Sequence, residues 1–266
     1  MIIPKANESR IIQPGLYSIT AKFKKSNPNG QKVLFGSPQK IKINNGTLEN
    51  YVYNKYYNLT EDINIVEYFW ENVNITNCVD MFQSCINLIE IDFSNFNTSN
   101  VTSTAGMFYG CINLISLNLS NFDTSKVELM DYMFYNCHSL TSLVLSNFDT
   151  SHVTSMDSMF NGCYLLTSLD LSNFDTSQTS FDLMFCHGME KMFYDCYSLT
   201  YLNLFKFNIT NIFSIEDMFY LCKNLSYINF GNASIENEAI ISELNKISSP
   251  NLYILINNKT LSFFNS

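Results

Sequence analysis

Cysteine is the residue whose number and spacing in this sequence first suggest chemistry. The chain has 266 residues, eight of them Cys, together with three His. A Cys beside a placed His can act as a nucleophile, and sets of Cys and His can hold zinc. A catalytic thiol is a single residue, however, and zinc sites are built from pairs such as Cys-x-x-Cys. Neither arrangement occurs here, because six of the eight Cys stand at one repeated position.

That repeated position belongs to the frame Met-Phe-x-x-Cys, which occurs six times. The Cys of the frame are Cys85, Cys111, Cys137, Cys163, Cys196 and Cys222. Successive ones are 26 residues apart, except for the step of 33 that ends at Cys196. A near-constant period of this kind is typical of solenoids, in which each repeat stacks on the next. We predict a column of reduced thiols packed as small apolar groups, since stacked side chains point the same way and are poorly placed for disulfides.

A second motif follows each Cys and predicts the shape of one repeat. Residues 166–171 show the pattern Leu-x-x-Leu-x-Leu, which opens leucine-rich repeats and alternates like a short strand. We expect the recurrent Asp123, Asp149 and Asp175 to stabilise turns rather than bind calcium, since no Gly-rich nonapeptide accompanies them. Apolar residues spaced by three and four before Met159 predict one or two helical turns. One repeat is then strand, turn, short helix, turn.

The combined pattern is Leu-Ser-Asn-Phe-Asp-Thr-Ser followed by Met-Phe-x-x-Cys-x-x-Leu, and it resembles the BspA-like leucine-rich-repeat surface proteins. The resemblance extends from about residue 78 to residue 233. It implies a leucine-rich-repeat solenoid that is exposed at the cell surface or secreted and that binds proteins in adhesion. It implies no catalytic residues, so we expect a protein that is not an enzyme. The start of the chain lacks the apolar core of a secretory signal, which leaves a cytoplasmic location as the alternative.

Three segments follow from these patterns. Residues 78–233 carry six leucine-rich repeats of about 26 residues, one with a 7-residue insertion. Residues 1–77 lack the repeat and predict a β-rich N-terminal cap. Its strands are expected at residues 15–24, 31–35, 40–44 and 63–70. Residues 234–266 predict a C-terminal αβ cap, with a helix over 234–247 and a strand over 252–256. The predicted fold is an α/β repeat solenoid of the leucine-rich-repeat type, with parallel strands and short helices.

The strand residues that point away from the core form the candidate binding face. The middle of this face is small and polar, whereas its C-terminal end is aromatic, and aromatic residues are favoured at interface centres. Tyr201, Phe205 and Tyr227 are the predicted hot spots; the other interpretation is that they only cover the last turn beneath the C-terminal helix. The full candidate set is Glu90, Asp92, Asn118, Asp170, Tyr201, Asn203, Phe205, Tyr227 and Asn229.

Three other groups of residues are candidates for chemistry or for binding. Cys186-His187 lies in the long step before Cys196, where a protruding loop could be reactive or bind a metal; a tolerated insertion is the simpler interpretation. His138 and His152 occupy variable repeat positions and are expected to be solvated. A Lys cluster could meet an anionic partner, although a solvated strand face is the default interpretation. Its members are Lys22, Lys24, Lys25, Lys32, Lys40 and Lys42.

Charge and hydropathy narrow the partners. The net charge of −9 combines +3 over residues 1–77 with −12 over residues 78–266, which disfavours nucleic acid as a partner. No apolar run of about 18 residues occurs, so no membrane span is predicted. We expect a monomer that binds a protein or a cell-surface ligand without a cofactor or a metal. The first alternative is an intracellular interaction scaffold, and the second is an enzyme that uses Cys186-His187.

Overall fold

The computed structural model describes residues 16–26, 38–53, 55–71, 73–177, 188–207, 214–231, 238–247, 249, 251–256 and 259–263. The strands in these ranges are β1 Leu16–Lys24, β2 Lys40–Ile43, β3 Glu49–Asn50, β4 Ile63–Glu71, β5 Leu88–Asn95, β6 Ser116–Asn118, β7 Ser168–Asp170, β8 Tyr201–Asn203, β9 Tyr227–Asn229, β10 Leu252–Ile256 and β11 Lys259–Phe263, and the helix is α1, Glu238–Asn245. Four of the strands expected outside the repeats correspond to β1, β2, β4 and β10. The strand expected at 31–35 falls outside the described residues.

The repeats form a β-solenoid of about five turns with parallel strands. β7, β8 and β9 pair side by side in parallel, and their central residues Leu169, Leu202 and Ile228 are in register. All three are buried, while the residues on either side of each point outward. This is the alternation that Leu-x-Leu predicts. β10 continues the same sheet in parallel, with Ile254 next to Ile228.

The short helix predicted in each repeat is wrong. The segment that ends in Met-Phe-x-x-Cys instead forms two consecutive tight turns, closed in the third repeat by Met133 N–H to Met130 O and by Cys137 N–H to Phe134 O. Each turn contains a residue in the left-handed region, Tyr132 with φ 56° and Asn136 with φ 55°. A left-handed residue cannot continue a right-handed helix, so the helical spacing of the apolar residues does not produce a helix here.

The same left-handed residues redirect the backbone donors toward the next repeat. Tyr132 N–H donates to Asp157 O at 2.9 Å, and Phe134 N–H donates to Met159 O at 2.9 Å. Asn136 N–H donates to the next repeat in the same way, at 2.7 Å. Gly106, Gly110 and Gly162 occupy equivalent positions with positive φ in neighbouring repeats, which is the conformation that glycine adopts at no steric cost. The turns therefore bond along the solenoid, as the strands do.

Aromatic rings from the Met-Phe positions form the centre of the core. Six Phe side chains stack in one column, with neighbouring centroids 5.6–5.8 Å apart and ring planes within 11° of parallel. They are Phe82, Phe108, Phe134, Phe160, Phe193 and Phe219, and each is fully buried. A second buried column contains Phe122, Phe148 and Phe174. Because the same motif recurs in each repeat, each Phe ring packs against the equivalent ring of the next repeat.

The frame cysteines form a column of their own beside the frame phenylalanines. Each thiol from Cys111 onward donates to the carbonyl of the frame Phe one repeat earlier, as Cys137 does to Phe108 O at 3.3 Å. All seven cysteines in the described ranges are buried, and none of them forms a disulfide. Burial raises the pKa of Cys163 and of Cys222 to about 12. These thiols therefore pack and donate hydrogen bonds, and they are poorly suited to act as thiolates.

The Asp-Thr-Ser segments join neighbouring repeats at the other end of the strand. Asp149 accepts a hydrogen bond from Ser151 N–H at 2.9 Å, so the expected turn role of the Asp residues is confirmed. The buried hydroxyl of Thr124 accepts from Asp149 N–H at 2.8 Å and donates to Asp149 O at 2.9 Å. Thr150 makes the same two bonds to Asp175. Each Thr thus links two consecutive turns of the solenoid.

Non-repeat elements lie at both ends of the solenoid. β1 pairs antiparallel with both β4 and β5, which extends the solenoid sheet into the order β3-β2-β4-β1-β5-β6. Trp70 packs edge-on against Phe96 at 5.1 Å. At the other end the sheet order is β11-β10-β9-β8-β7, and α1 buries Ile240 and Leu244. Buried apolar residues of these elements, such as Ile19, Tyr68 and Ile254, join the same core as the repeats.

Candidate binding surface

The outward side chains of the parallel strands form three rows, which we call the outer strand face. Strand register and the 26-residue period align residues from successive repeats in each row. Row one is Glu90, Ser116, Ser142, Ser168, Tyr201, Tyr227 and Tyr253. Row two is Asp92, Asn118, Val144, Asp170, Asn203 and Asn229, and row three is Ser94, Ser120, Ser146, Ser172, Phe205 and Gly231. All nine predicted site residues lie in these rows, which is what the alternation of the strands requires.

The N-terminal end of the outer strand face is occupied by ion pairs. Lys22 on β1 donates to both carboxylate oxygens of Glu90 on β5, at 2.7 and 2.8 Å. Lys40 and Lys42 on β2 pair with Glu71 and Glu67 on β4, each through one carboxylate oxygen, at 2.7 and 3.1 Å. Three members of the Lys cluster therefore already have carboxylate partners within the chain. Lys32 lies outside the described residues.

The polar residues of row two hold the ends of their own strands. Asp170 Oδ1 accepts from Ser172 N–H at 2.9 Å, and Asn118 Oδ1 accepts from Ser120 N–H at 3.0 Å. Asp92 and Asn229 make the equivalent bond to the residue two positions on. Asn203 Oδ1 accepts from the side-chain amide of Asn229 at 3.0 Å. A structural role thus accounts for the Asx residues of this row.

Four aromatic residues lie at the C-terminal end of the outer strand face, and three of them are exposed. We call Tyr201, Phe205, Tyr227 and Tyr253 the aromatic patch. Tyr201 is 38% exposed, Phe205 48% and Tyr253 49%. The rings of Tyr201 and Tyr227 are parallel within 1° and their centroids are 5.1 Å apart. Since α1 contacts the turn side of the solenoid, where Lys246 pairs with Asp217 at 3.1 Å, the patch remains open.

Gly231 determines how Phe205 lies in this patch. Gly231 has φ 54°, and a Cβ atom there would overlap both the carbonyl oxygen and the ring of Phe205. The ring therefore lies directly over the glycine, which is buried. In the sequence, Gly231 looks like a gap in row three, but it is the position that allows Phe205 to pack flat.

Tyr253 is the patch residue that sequence reasoning missed. The strand 252–256 is expected from its composition, and its alternation places Tyr253 opposite the buried Leu252 and Ile254. Only the parallel pairing of β10 with β9 places Tyr253 beside Tyr227 in row one. That pairing joins elements outside and inside the repeat, so the 26-residue period carries no signal for it.

The remaining candidate sites are changed by the structure or lie beyond it. His138 is not solvated as predicted: it is half-buried, and its ring stacks on Tyr164 with 4.4 Å between centroids. Burial lowers the pKa of its imidazole. His152 is exposed, as predicted. Cys186-His187 falls outside the described residues, and within those residues no group of three or more His, Cys, Asp or Glu side chains could hold a metal ion.

A half-buried carboxylate, that of Asp157, accepts hydrogen bonds from the backbone of residues 188–190. Asp157 Oδ1 accepts from Gly188 N–H at 3.2 Å and from Glu190 N–H at 2.9 Å. The pKa of the Asp157 carboxyl is raised from its ordinary 3.8 to about 6, mainly by burial and in addition by the nearby Asp131 and Glu190 carboxylates, against the hydrogen bonds from Glu190 N–H and Gly188 N–H that lower it. The neutral form is therefore relatively favoured in the folded state.

This raised pKa predicts a pH dependence of stability. Because the pKa is higher in the folded than in the unfolded state, the contribution of Asp157 is fully present below about pH 4 and is lost as the pH rises through about 6. In Asp157→Asn the side-chain acceptor stays and the charge goes. We expect the melting temperature of this variant, relative to that of the wild type, to rise as the pH is increased from 4 to 7.

Asp123→Asn is the control for this titration. Hydrogen bonds from Ser125 lower the pKa of Asp123, so its contribution is present above about pH 4 and is lost only as the pH falls further. Its melting-temperature difference from the wild type should stay constant between pH 4.5 and 7. A constant difference for Asp157→Asn over the same range would contradict the prediction.

The fold and its outer strand face define the class of protein. This is a β-solenoid repeat protein with parallel strands. A family model described as "Mycoplasma protein of unknown function, DUF285" matches residues 47–163 and 140–244, and the chain belongs to this family. This is a repeat family, related in kind to the BspA-like proteins that the sequence pattern resembles. No curated protein and no solved structure matches the chain. Over the described residues, no helix is long and apolar enough to cross a bilayer.

Proposed function

We propose that this protein is a non-enzymatic binding protein that recognises a protein or a cell-surface ligand with its outer strand face. The observation that carries the proposal is the aromatic patch, whose Tyr201, Phe205 and Tyr253 side chains are 38–49% exposed on a face that is otherwise mostly small and polar, with Val144 as the exposed apolar exception. Tyr side chains supply large contact area at little conformational cost, and they are enriched at binding hot spots. Row two supplies polar groups at the border of the patch.

The solenoid belongs, in this proposal, to the leucine-rich-repeat type. Its Leu-x-x-Leu-x-Leu segments supply the parallel strands, and tight turns take the place of the short helices. The N-terminal strands β1–β4 and the C-terminal elements α1, β10 and β11 serve as caps, because a terminal repeat has no neighbour to bury its apolar layer. Burial of Ile240 and Leu244 of α1 against the repeat core supports this role.

A surface or secreted location is part of the proposal and rests on the sequence resemblance; an intracellular scaffold is the alternative. The two locations are separated by labelling intact cells of the source organism with a membrane-impermeant biotin reagent. Labelling of the protein on intact cells supports the surface location. Labelling only after lysis, with a cytoplasmic marker behaving in the same way, would reject it.

Binding by the aromatic patch is tested with a random peptide display library selected on the immobilised protein. We expect enriched peptides to lose at least about tenfold in affinity for Tyr201→Ser/Tyr227→Ser. The matched control is Tyr109→Ser/Tyr135→Ser, which removes another stacked Tyr pair, with centroids 4.6 Å apart, from the turn side of the solenoid. Binders that respond equally to both double variants, or no enrichment at all, would reject the proposed face.

A further inference from the structure

The ring of Tyr201 has one face covered and one face open. Tyr227 stacks on the side toward β9. On the side toward β7 the neighbour in register is Ser168, whose side chain is small and exposed. Ser142 and Ser116 continue row one beyond it. The serine row thus forms a surface of small polar side chains that ends at the open face of the Tyr201 ring.

A carboxylate lies beside that open face. Asp170 is exposed, two residues after Ser168 on β7, and it points to the same side of the sheet. It is close enough to Tyr201 for its charge to raise the pKa of the Tyr201 hydroxyl, after burial as the main cause. The bond from Ser172 N–H to Oδ1 fixes the position of the carboxylate. The strand register, with Ser168 opposite Tyr201 and Asp170 opposite Asn203, places this carboxylate on the β7 side of the ring, two residues farther along the sheet.

This combination suits a cation. The negative face of an aromatic ring attracts ammonium and guanidinium groups, and Arg stacks on such rings in a planar manner. The chain itself already uses the contact elsewhere: Lys223 Nζ lies 5.9 Å from the Tyr197 ring centre and Lys55 Nζ lies 4.8 Å from that of Tyr57. No Lys or Arg stands in the three rows, so the charge next to Tyr201 is supplied by Asp170 alone among the row residues.

We propose that the open face of Tyr201 and the carboxylate of Asp170 form a binding site for an Arg or Lys side chain of a basic protein segment. The serine row gives that segment room to lie along the outer strand face. The net charge of −12 over residues 78–266 favours a basic partner by electrostatic complementarity. The inference rests on the proposed binding function and adds the chemistry of the ligand.

The site is tested by nuclear magnetic resonance titration of the full chain with Nα-acetyl-arginine amide. We expect amide signals of Ser168 and Asp170 and ring signals of Tyr201 to shift with the arginine probe. The citrulline analogue, which has the same shape without the charge, should not shift them. Asp170→Asn keeps the acceptor for Ser172 N–H and should weaken binding by about threefold, while Tyr201→Leu should weaken it by a similar factor or more.

Two controls separate a specific site from general attraction. Glu128→Gln removes one exposed negative charge away from the face, and Tyr220→Leu removes an exposed ring from the turn side of the solenoid. Both should leave arginine binding unchanged. Equal effects of Glu128→Gln and Asp170→Asn, or equal shifts with citrulline, would overturn the site. Tighter binding of tetramethylammonium than of the arginine probe would reject an Arg or Lys side chain in favour of a quaternary ammonium ligand.

Failure of this inference is distinguishable from failure of the proposed function. Library peptides that lose affinity for Tyr201→Ser/Tyr227→Ser but carry no Lys or Arg would leave the binding function standing and reject the cationic site. Arginine-dependent shifts at Tyr201 without any enriched peptide would support the cationic site and reject peptide recognition by the larger face.

Discussion

Replacing Phe134 by Ala should lower the free energy of unfolding by about 3–5 kcal/mol. Phe134 is fully buried, and its ring lies 5.7 Å from that of Phe108 and 5.6 Å from that of Phe160. Truncation opens a cavity between two rings whose positions are fixed by their own repeats, so the site cannot collapse to fill it. Equilibrium unfolding in guanidinium chloride measures the loss.

Phe205→Ala is the matched control, because Phe205 is 48% exposed and has the same side chain. It should cost about 1 kcal/mol or less. Phe134→Leu keeps most of the volume and should fall between the two. If Phe134→Ala proved no more destabilising than Phe205→Ala, the stacked column would not be the centre of the core.

Replacing Thr124 by Val should cost about 1–3 kcal/mol although the shape of the side chain hardly changes. The substitution removes the hydroxyl that accepts from Asp149 N–H at 2.8 Å and donates to Asp149 O at 2.9 Å. The N–H and C=O groups of Asp149, in the next repeat, then lose their partner beside a buried side chain. The same unfolding measurement detects the loss, together with faster hydrogen exchange of the Asp149 amide.

Thr124→Ser separates the hydroxyl from the methyl group. It keeps both bonds and should lose about 0.8 kcal/mol for the buried methyl. Thr141→Val, at an exposed position, should stay within about 0.5 kcal/mol of the wild type. Equal losses for Thr124→Val and Thr124→Ser would show that the Thr column contributes packing and not the link between turns.

The parallel strands and the buried columns could be predicted from the sequence because each depends on position within the repeat. Leu202 points inward and Tyr201 outward for the same reason, the alternation of a strand. The six frame Phe repeat with the frame Cys, so stacking one pair implies stacking all of them. Such features need no knowledge of distant contacts beyond the period itself.

The turns and the ends required the structure. Apolar residues spaced by three and four suit a helix and a pair of tight turns equally well, and only the left-handed Tyr132 and Asn136 decide between them. The pairing of Lys22 with Glu90 joins residues 68 positions apart in an antiparallel contact that the period does not describe. The candidate site was predictable in its rows, but the open ring face of Tyr201 depends on its stacking with Tyr227.

The link from each frame Cys to the Phe of the previous repeat has a consequence for the gene. In the regular repeats the bonded pair is 29 residues apart, and across the insertion it is 36 residues apart, yet the bond is retained at 3.1 Å. Neighbouring turns are joined by the same bonds between equivalent residues. Unequal recombination that adds or deletes a 26-residue unit therefore leaves the contacts between turns intact. Such events would lengthen or shorten the serine row between the Lys22–Glu90 pair and Tyr201. Related chains could then bind ligand segments of different length while sharing one fold.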